Sequence, residues 1–341
     1  MNRRRFLGAI GTVGSGAVAG CSTLGSTAPG SSVTLAYDAA PPHFQAVVMD
    51  QEGWLDEMAA EYESTEASCN SIVQLLVSGN ADIGMIGTVP ALVVADSDTE
   101  ASVVSASSTD AFVVMISAAV ADRFETNADG FAGFREEYGR RFKLGTYPKG
   151  SVSDITARYW ITEVRGESLE DVELVHLGGP GASRQALLAE EVDGGVIPEP
   201  TPTLIEERTM APYRRVTQVG EFIPGEPAGV TVVRDEFAKA NPSVVDEFVA
   251  RHAAATEFIA ENRDQAAAYM SDVYGGETAL DTATARAALN SPATQYVSDP
   301  REIIEGTAVL AEYANRLGKT ETVLETDQLV DPSYYERAVE E

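Results

Sequence analysis

Cysteine, histidine and lysine are nearly missing from this chain of 341 residues. It has two cysteines, Cys21 and Cys69, three histidines, and four lysines (Lys143, Lys149, Lys239, Lys319). Without a Cys-x-x-Cys pair or a His/Cys cluster, no structural zinc site is expected. Lysine scarcity is one side of a strong imbalance: 53 Asp+Glu stand against 24 Lys+Arg, for a net charge of −29. A basic footprint is therefore lacking, which argues against nucleic-acid binding. The acids are dispersed rather than gathered in a tail, as in "QEGWLDEMAAEYESTEA" and "TETVLETDQLVD". Such a lysine-poor acidic surface suits high salt, where charge repulsion is screened, and marks a halophilic protein. Long apolar runs are also missing. The main one, Leu7 to Gly20, falls short of the roughly 20 residues a membrane span needs. No Gly-x-Ser-x-Gly elbow, His-Glu-x-x-His or Ser-x-x-Lys set is present in the folded part. Neither an enzyme nor a cofactor or metal is expected.

What is present is ordinary globular composition, at 44% hydrophobic, with length for about two domains. "NRRRFLG" sets Arg3-Arg4 ahead of an apolar Gly/Ala-rich segment, in the manner of a twin-arginine export signal over residues 1–20. The segment ends "VAGC", resembling a lipobox, so Cys21 is the expected lipidation site. Residues 21–32 form a Ser/Gly/Thr tether without core-forming side chains. With Cys21 acylated, Cys69 is alone and no internal disulfide forms.

From residue 33, short apolar strands alternate with amphipathic stretches, which predicts βαβ units. The predicted strands are 33–37, 82–86, 102–105, 112–117, 142–145, 172–176, 195–197, 215–218 and 230–233. The predicted helices are 43–51, 71–77, 90–95, 131–138, 152–164 and 183–191. After Val233 the pattern is helical, beginning at Asn241-Pro242. A second α/β unit starting near residue 115 and ending near 225 predicts an inserted lobe 2 (115–225), with 33–114 and 226–341 forming lobe 1. The chain would then cross between lobes twice, making a two-strand hinge.

In open α/β sheets, ligands bind beyond the carboxyl ends of strands, at helix N-termini. Five turns qualify. "YDAAPPHF" carries Ala40, Pro42 and His43, the last either a contact or a solvated helix-start residue. "IGTVPALVV" offers Gly87 for close approach and Thr88 as a helix cap. "TYPKGSVSD" places Lys149, Gly150 and Ser151 at a helix start, with Asp154 completing a capping box. "HLGGPGAS" is a Gly-rich helix entry, and "PEP" holds Glu199 between prolines.

These stretches, in this order, resemble the extracytoplasmic solute-binding proteins of ABC importers. The subgroup is that of nitrate-, alkanesulfonate- and taurine-binding proteins and the thiamin-precursor binders. The carrying segments are residues 33–57, 78–94, 142–177, 186–200 and 228–259. The resemblance implies an α/β, two-lobed periplasmic-binding-protein fold (type II-like), each lobe a mostly parallel sheet flanked by helices. It implies a monomer that captures a small solute and passes it to a permease and ATPase; Thr88 and Ser151, read as opposed helix caps on the two sides of the cleft, predict an anionic or strongly accepting group on that solute, as in nitrate, a sulfonate, taurine or bicarbonate. Carried over by position, Ala40 to His43, Gly87, Thr88, Lys149 to Ser151 and Glu199 would line the cleft. Ser107, Ser108 and Thr109, in the polar turn after the strand at 102–105, join them. In sulfonate binders an aromatic residue precedes the acid matched by Glu199; here Pro198 does, and no arginine lies in the matching turns. Monoanions and aromatic heterocycles therefore stay open as ligands. So do a pyrimidine synthase on the same scaffold and a ligand-sensing ectodomain. Replacement Cys21→Ala is expected to move the protein from the membrane fraction to the soluble one and to abolish lipid labelling; continued labelling would disprove the lipobox.

Overall fold

A computed structural model describes residues 32–125, 130–208, 210–275 and 280–340. The export signal, Cys21 and all but the last residue of the tether lie outside the described residues.

Among the described residues, eleven strands form two sheets. In chain order they are β1 (Ser32–Tyr37), β2 (Glu61–Glu66), β3 (Ile83–Ile86), β4 (Ala101–Thr109) and β5 (Phe112–Ser117), followed by β6 (Phe142–Thr146) and β7 (Val172–His176). Then come β8 (Gly194–Pro198), β9 (Tyr213–Gln218), β10 (Pro227–Arg234) and the short β11 (Gln295–Tyr296). The first sheet has the order β11-β4-β10-β3-β1-β2, the second β7-β6-β8-β5-β9. The two share one plan. In each sheet a strand that has come from the other lobe pairs antiparallel with both its neighbours, β10 with β3 and β4, and β5 with β8 and β9. Around β1 and β6 the pairing is parallel. The sheets are therefore mixed: in each, the strand delivered across the hinge is reversed, as is the short edge strand β11 against β4.

The central strand Ile83–Ile86 has no polar side chain and is buried at all four residues, as a strand covered on both faces favours. Strand β2, "EYESTE", was not expected, because its only apolar side chain is Tyr62, stacked on Phe248 at 6.0 Å. It is an edge strand, and its carboxylates protect that edge from further pairing. The second lobe is filled by aromatics: Phe124, Phe131, Phe142 and Trp160 pack with centroids 4.9–6.1 Å apart. The apolar core runs on between lobes. The helix Ile304–Arg316 packs against both Thr88–Ala95 of the first lobe and Val152–Tyr159 of the second, and Tyr313 meets Thr162 Oγ1 at 2.8 Å.

The hinge lies at Asp110-Ala111 and at Glu226, so β5, expected to straddle the lobe boundary near 115, belongs wholly to the second sheet. The two crossings are tied together. Asp110 N donates to Glu226 O at 2.9 Å, Glu226 N donates to Asp110 Oδ1 at 3.2 Å, and Ala111 N donates to Glu226 Oε2 at 3.2 Å. Asp110 holds φ at +53°, a left-handed conformation that Asp tolerates better than most residues. Close by, Gly306 is required, since a Cβ there would run into the Gly225 carbonyl.

Glu226 is fully buried with Oε1 unpartnered. Burial, and secondarily the charge of Asp110, push its carboxyl up to about 8. A raised acid stabilises the fold while protonated in both states' common range, below its unfolded value of 4.5, and that contribution fades as pH rises through 8. Glu226→Gln keeps an acceptor for Ala111 N without the titration. Thermal melting is expected to be unchanged near pH 4.5 and higher than wild type above pH 8, by a few kcal/mol at about 1.4 kcal/mol per pH unit. A parallel pH profile for the two proteins would refute this.

Candidate ligand-binding site

The turns at the carboxyl ends of β1, β2, β3, β6 and β7 face one another across the lobes and enclose a cavity of ≈ 460 Å³. The first lobe contributes 38–40, 66–70 and Pro90; the second contributes Tyr147, Pro148, Ser151 and 178–180. A larger recess of ≈ 590 Å³ at Ser78, Gly79 and Glu100 belongs to the first lobe alone, on its outer edge. The interlobe cavity has walls from both lobes and the strand ends at its base, so it is the candidate site.

Three helices begin at this cavity. The helix Cys69–Val77 is capped by Ser68, whose hydroxyl accepts from Ser71 N. The helix Val152–Tyr159 is capped by Ser151, whose Oγ accepts from Asp154 N at 3.3 Å, while Asp154 Oδ2 accepts from Gly150 N at 2.9 Å. The expected capping box thus forms, with its carboxylate reaching one residue further back. The helix Pro180–Leu188 starts at Gly179, whose φ of +131° suits only glycine.

The base of the cavity carries Asp38. Its Oδ2 accepts the Cys69 thiol at 2.9 Å and its Oδ1 accepts Ala40 N at 3.1 Å. Burial holds the Asp38 carboxyl above its usual range. Burial also pushes the Cys69 thiol well up, with Asp38 adding to the effect. A thiol raised in this way is a poor nucleophile at neutral pH.

Of the expected site residues, the cavity is lined by Ala40 and Ser151. The others are placed elsewhere. Thr88 is not the cap of its helix: Gly87 is, and Thr88 is the first helical residue, fully buried with its hydroxyl unpartnered. Gly87 faces Val152 of the second lobe, where a Cβ would come within 3.2 Å. Pro42 and His43 are buried beneath the cavity; Pro42 O accepts from Ser108 Oγ at 3.0 Å. Burial lowers His43 to about 3, so the ring is neutral. Ser107 is within 3.3 Å of His252 Nε2. The expected turn at Ser107, Ser108 and Thr109 is in fact strand, because β4 runs on to pair with both β10 and β11. Lys149 is exposed and Gly150 sits beside Lys319 Nζ. Glu199 is committed internally: Oε1 pairs with Arg215 Nη2 at 2.9 Å and Oε2 accepts from Thr203 N at 3.0 Å.

The residues that sequence reasoning passed over are Asp38, Glu66 to Asn70, and Tyr147. Asp38 and Tyr147 stood inside the quoted turns, next to the residues selected; their signal was position at a strand end. Glu66 to Asn70 follow the strand whose apolar alternation was missing.

Thr88→Val replaces an orphaned buried hydroxyl with a methyl of similar shape. The variant is expected to melt at or above the wild-type temperature, a gain of about 1 kcal/mol, with solute affinity unchanged; a tenfold loss of affinity would return Thr88 to the site.

Residues 26–273 match the model of the NMT1-like family. No curated protein sequence matches the chain. Solved structures share the architecture. The periplasmic nitrate-binding protein NrtA from Synechocystis PCC 6803 gives a TM-score of 0.71 at 14% identity, over 91% of this chain and 89% of that one. The periplasmic aliphatic sulphonate-binding protein SsuA from Escherichia coli gives 0.67 at 16% identity, over 89% and 93%. The zinc-bound ligand-binding component of an ABC-type import system from Staphylococcus aureus gives 0.69 at 15% identity, over 91% and 100%. At these identities the likeness is one of fold.

Proposed function

The chain belongs to the NMT1-like family, and from that premise we propose that it is the solute-binding component of an ABC importer. It captures a small solute between its lobes and presents it to a permease driven by a separate ATPase. The observation that carries this reading is the cavity of ≈ 460 Å³ whose walls come from both lobes. Closing two lobes on a ligand buries it and couples binding to a shape that a membrane partner can recognise. Solved relatives of this fold are named as nitrate-binding, sulphonate-binding and import-system components. A binding role, rather than chemistry, agrees with the raised Cys69 thiol and with His43 and His252, both buried and lowered to about 3.

The same reading places the protein outside the cell, held by lipid on Cys21 after twin-arginine export, with 21–32 as tether. No helix among the described residues is long and apolar enough to cross a membrane. The lobes divide at Asp110-Ala111 and Glu226, with the chain acting as a monomer.

The expectation of an anionic solute rested on two helix caps, Thr88 and Ser151. Thr88 is not a cap, and Ser151 is engaged by its own helix, whose first turn already holds Asp154. That argument for an anion lapses.

Native mass spectrometry of the protein purified from its host is expected to show a small-molecule adduct that leaves on denaturation. Tyr147→Ala, which opens one wall of the cavity, should lower its retention tenfold or more. Absence of any adduct, together with no binding of any small solute in calorimetry, would overturn the importer reading.

A further inference from the structure

The chain treats most of its half-buried and buried carboxylates alike. Asp82 pairs with Arg234 at 2.8 Å, Asp154 with Arg158 at 3.1 Å, Glu167 with Arg165 at 2.6 Å and Glu199 with Arg215 at 2.9 Å. Each guanidinium offsets the cost of taking a carboxylate out of water. Glu226, in the hinge, meets that cost by staying protonated. Asp38 has no guanidinium, although burial shifts its carboxyl upward as it does that of Glu226. Its partners are a thiol and a backbone amide, and no Lys or Arg lines the cavity it faces. The second charge on the lining, Glu66 at the end of β2, is also negative.

The walls say what kind of molecule can meet that carboxylate. Pro90, Pro148 and Pro180 contribute apolar surface, and Tyr147 contributes a ring. The volume of ≈ 460 Å³ lies in the range of about 300–1,000 Å³ common for small organic ligands. Among the described residues no group of three His, Cys, Asp or Glu side chains that could hold a metal ion exists. Near Asp38, the hydroxyl of Tyr274 is buried without a hydrogen-bond partner.

We infer that the cleft selects a small organic cation, an amine or amidine whose N–H groups donate to the Asp38 carboxylate while Tyr147 and the prolines enclose its apolar body. This inference rests on the importer reading and names its solute class. Bound there, the cation completes for Asp38 the pairing that the arginines supply elsewhere. Nitrate or a sulfonate would instead face Asp38 and Glu66, against which the three helix N-termini set only partial positive charges and Arg184, near Tyr147, lies outside the lining. Salt leaves the contact largely intact, since a buried pair is screened far less than a surface one.

Calorimetry on the full chain in multimolar KCl, with butylammonium and benzamidinium set against butanesulfonate and nitrate, tests the inference. The cations are expected to bind at least tenfold more tightly than butanesulfonate. Asp38→Asn should erase that preference without lowering the melting temperature, because it removes a charge that burial disfavours. Cys69→Ser keeps a donor to Asp38 and should stay within about threefold of wild type in cation affinity. Preferential binding of nitrate or butanesulfonate, or cation binding that survives Asp38→Asn, would overturn the inference and leave the importer reading standing. Binding of none of the four probes would also overturn it; the native mass spectrum then decides separately whether the importer reading survives.

Discussion

The paired crossing at Asp110 and Glu226 is the constraint on which the rest of the molecule depends. Three hydrogen bonds hold the two connecting segments side by side. From that point β5 enters one sheet and β10 the other, each antiparallel to its neighbours. The reversed strand in each sheet orients the remaining strands so that their carboxyl ends point toward the other lobe. The cavity exists because those ends meet. A hinge built from buried carboxyl groups also explains why Glu226 is conspicuous among 53 acids: it is kept neutral by burial, whereas the surface acids stay charged in water.

Charge is managed differently on the surface and inside. Outside, the acids repel one another and are kept apart by solvent and salt. Inside, arginine is the standard counterion, since its planar donors match a carboxylate and it stays charged when desolvated. Arg165 does this while stacking near Phe124 and Trp160, at 5.1 and 5.4 Å from the ring centroids, so one side chain serves both the ion pair and the aromatic core. Asp38 stands out because it departs from this habit at a cavity wall, with a thiol and a backbone amide where other acids have arginine. Local departures of this kind are where a folded chain places its function.

The lobes are joined by more than the hinge. The helix Ile304–Arg316 rests on both of them, and Gly87 meets Val152 across the boundary. The helix starts at Gly87 and Ser151 do oppose each other, yet the contact between them is apolar, Gly87 against Val152. The ligand space opens to one side, among Asp38, Cys69 and Tyr147. Two helix ends that looked like facing jaws from the sequence are therefore part of the packing that shapes the cavity rather than the grip itself.

Apolar periodicity and turn chemistry determined a good deal of this protein directly. The strands at 33–37, 112–117 and 172–176, the capping box at Ser151, and the two-lobed α/β plan were all legible, because each depends on residues close together in the chain. Strand β2 was hidden, since an edge strand of exposed acids has no buried face to leave a pattern. The extension of β4 through Ser107 to Thr109 was hidden too: its polar side chains are buried by His252, Pro42 and the flanking strands, which are distant in sequence. The site was legible only as a set of strand ends. Which side chain at each end faces the cavity depends on strand direction, on the depth of the neighbouring helices and on partners supplied from far away. Thr88 and Glu199 were lost to the interior in that way, and Asp38 became the group at the base of the cleft. Position along a turn is local information, but orientation is set by packing between lobes, and only the tertiary structure decides it.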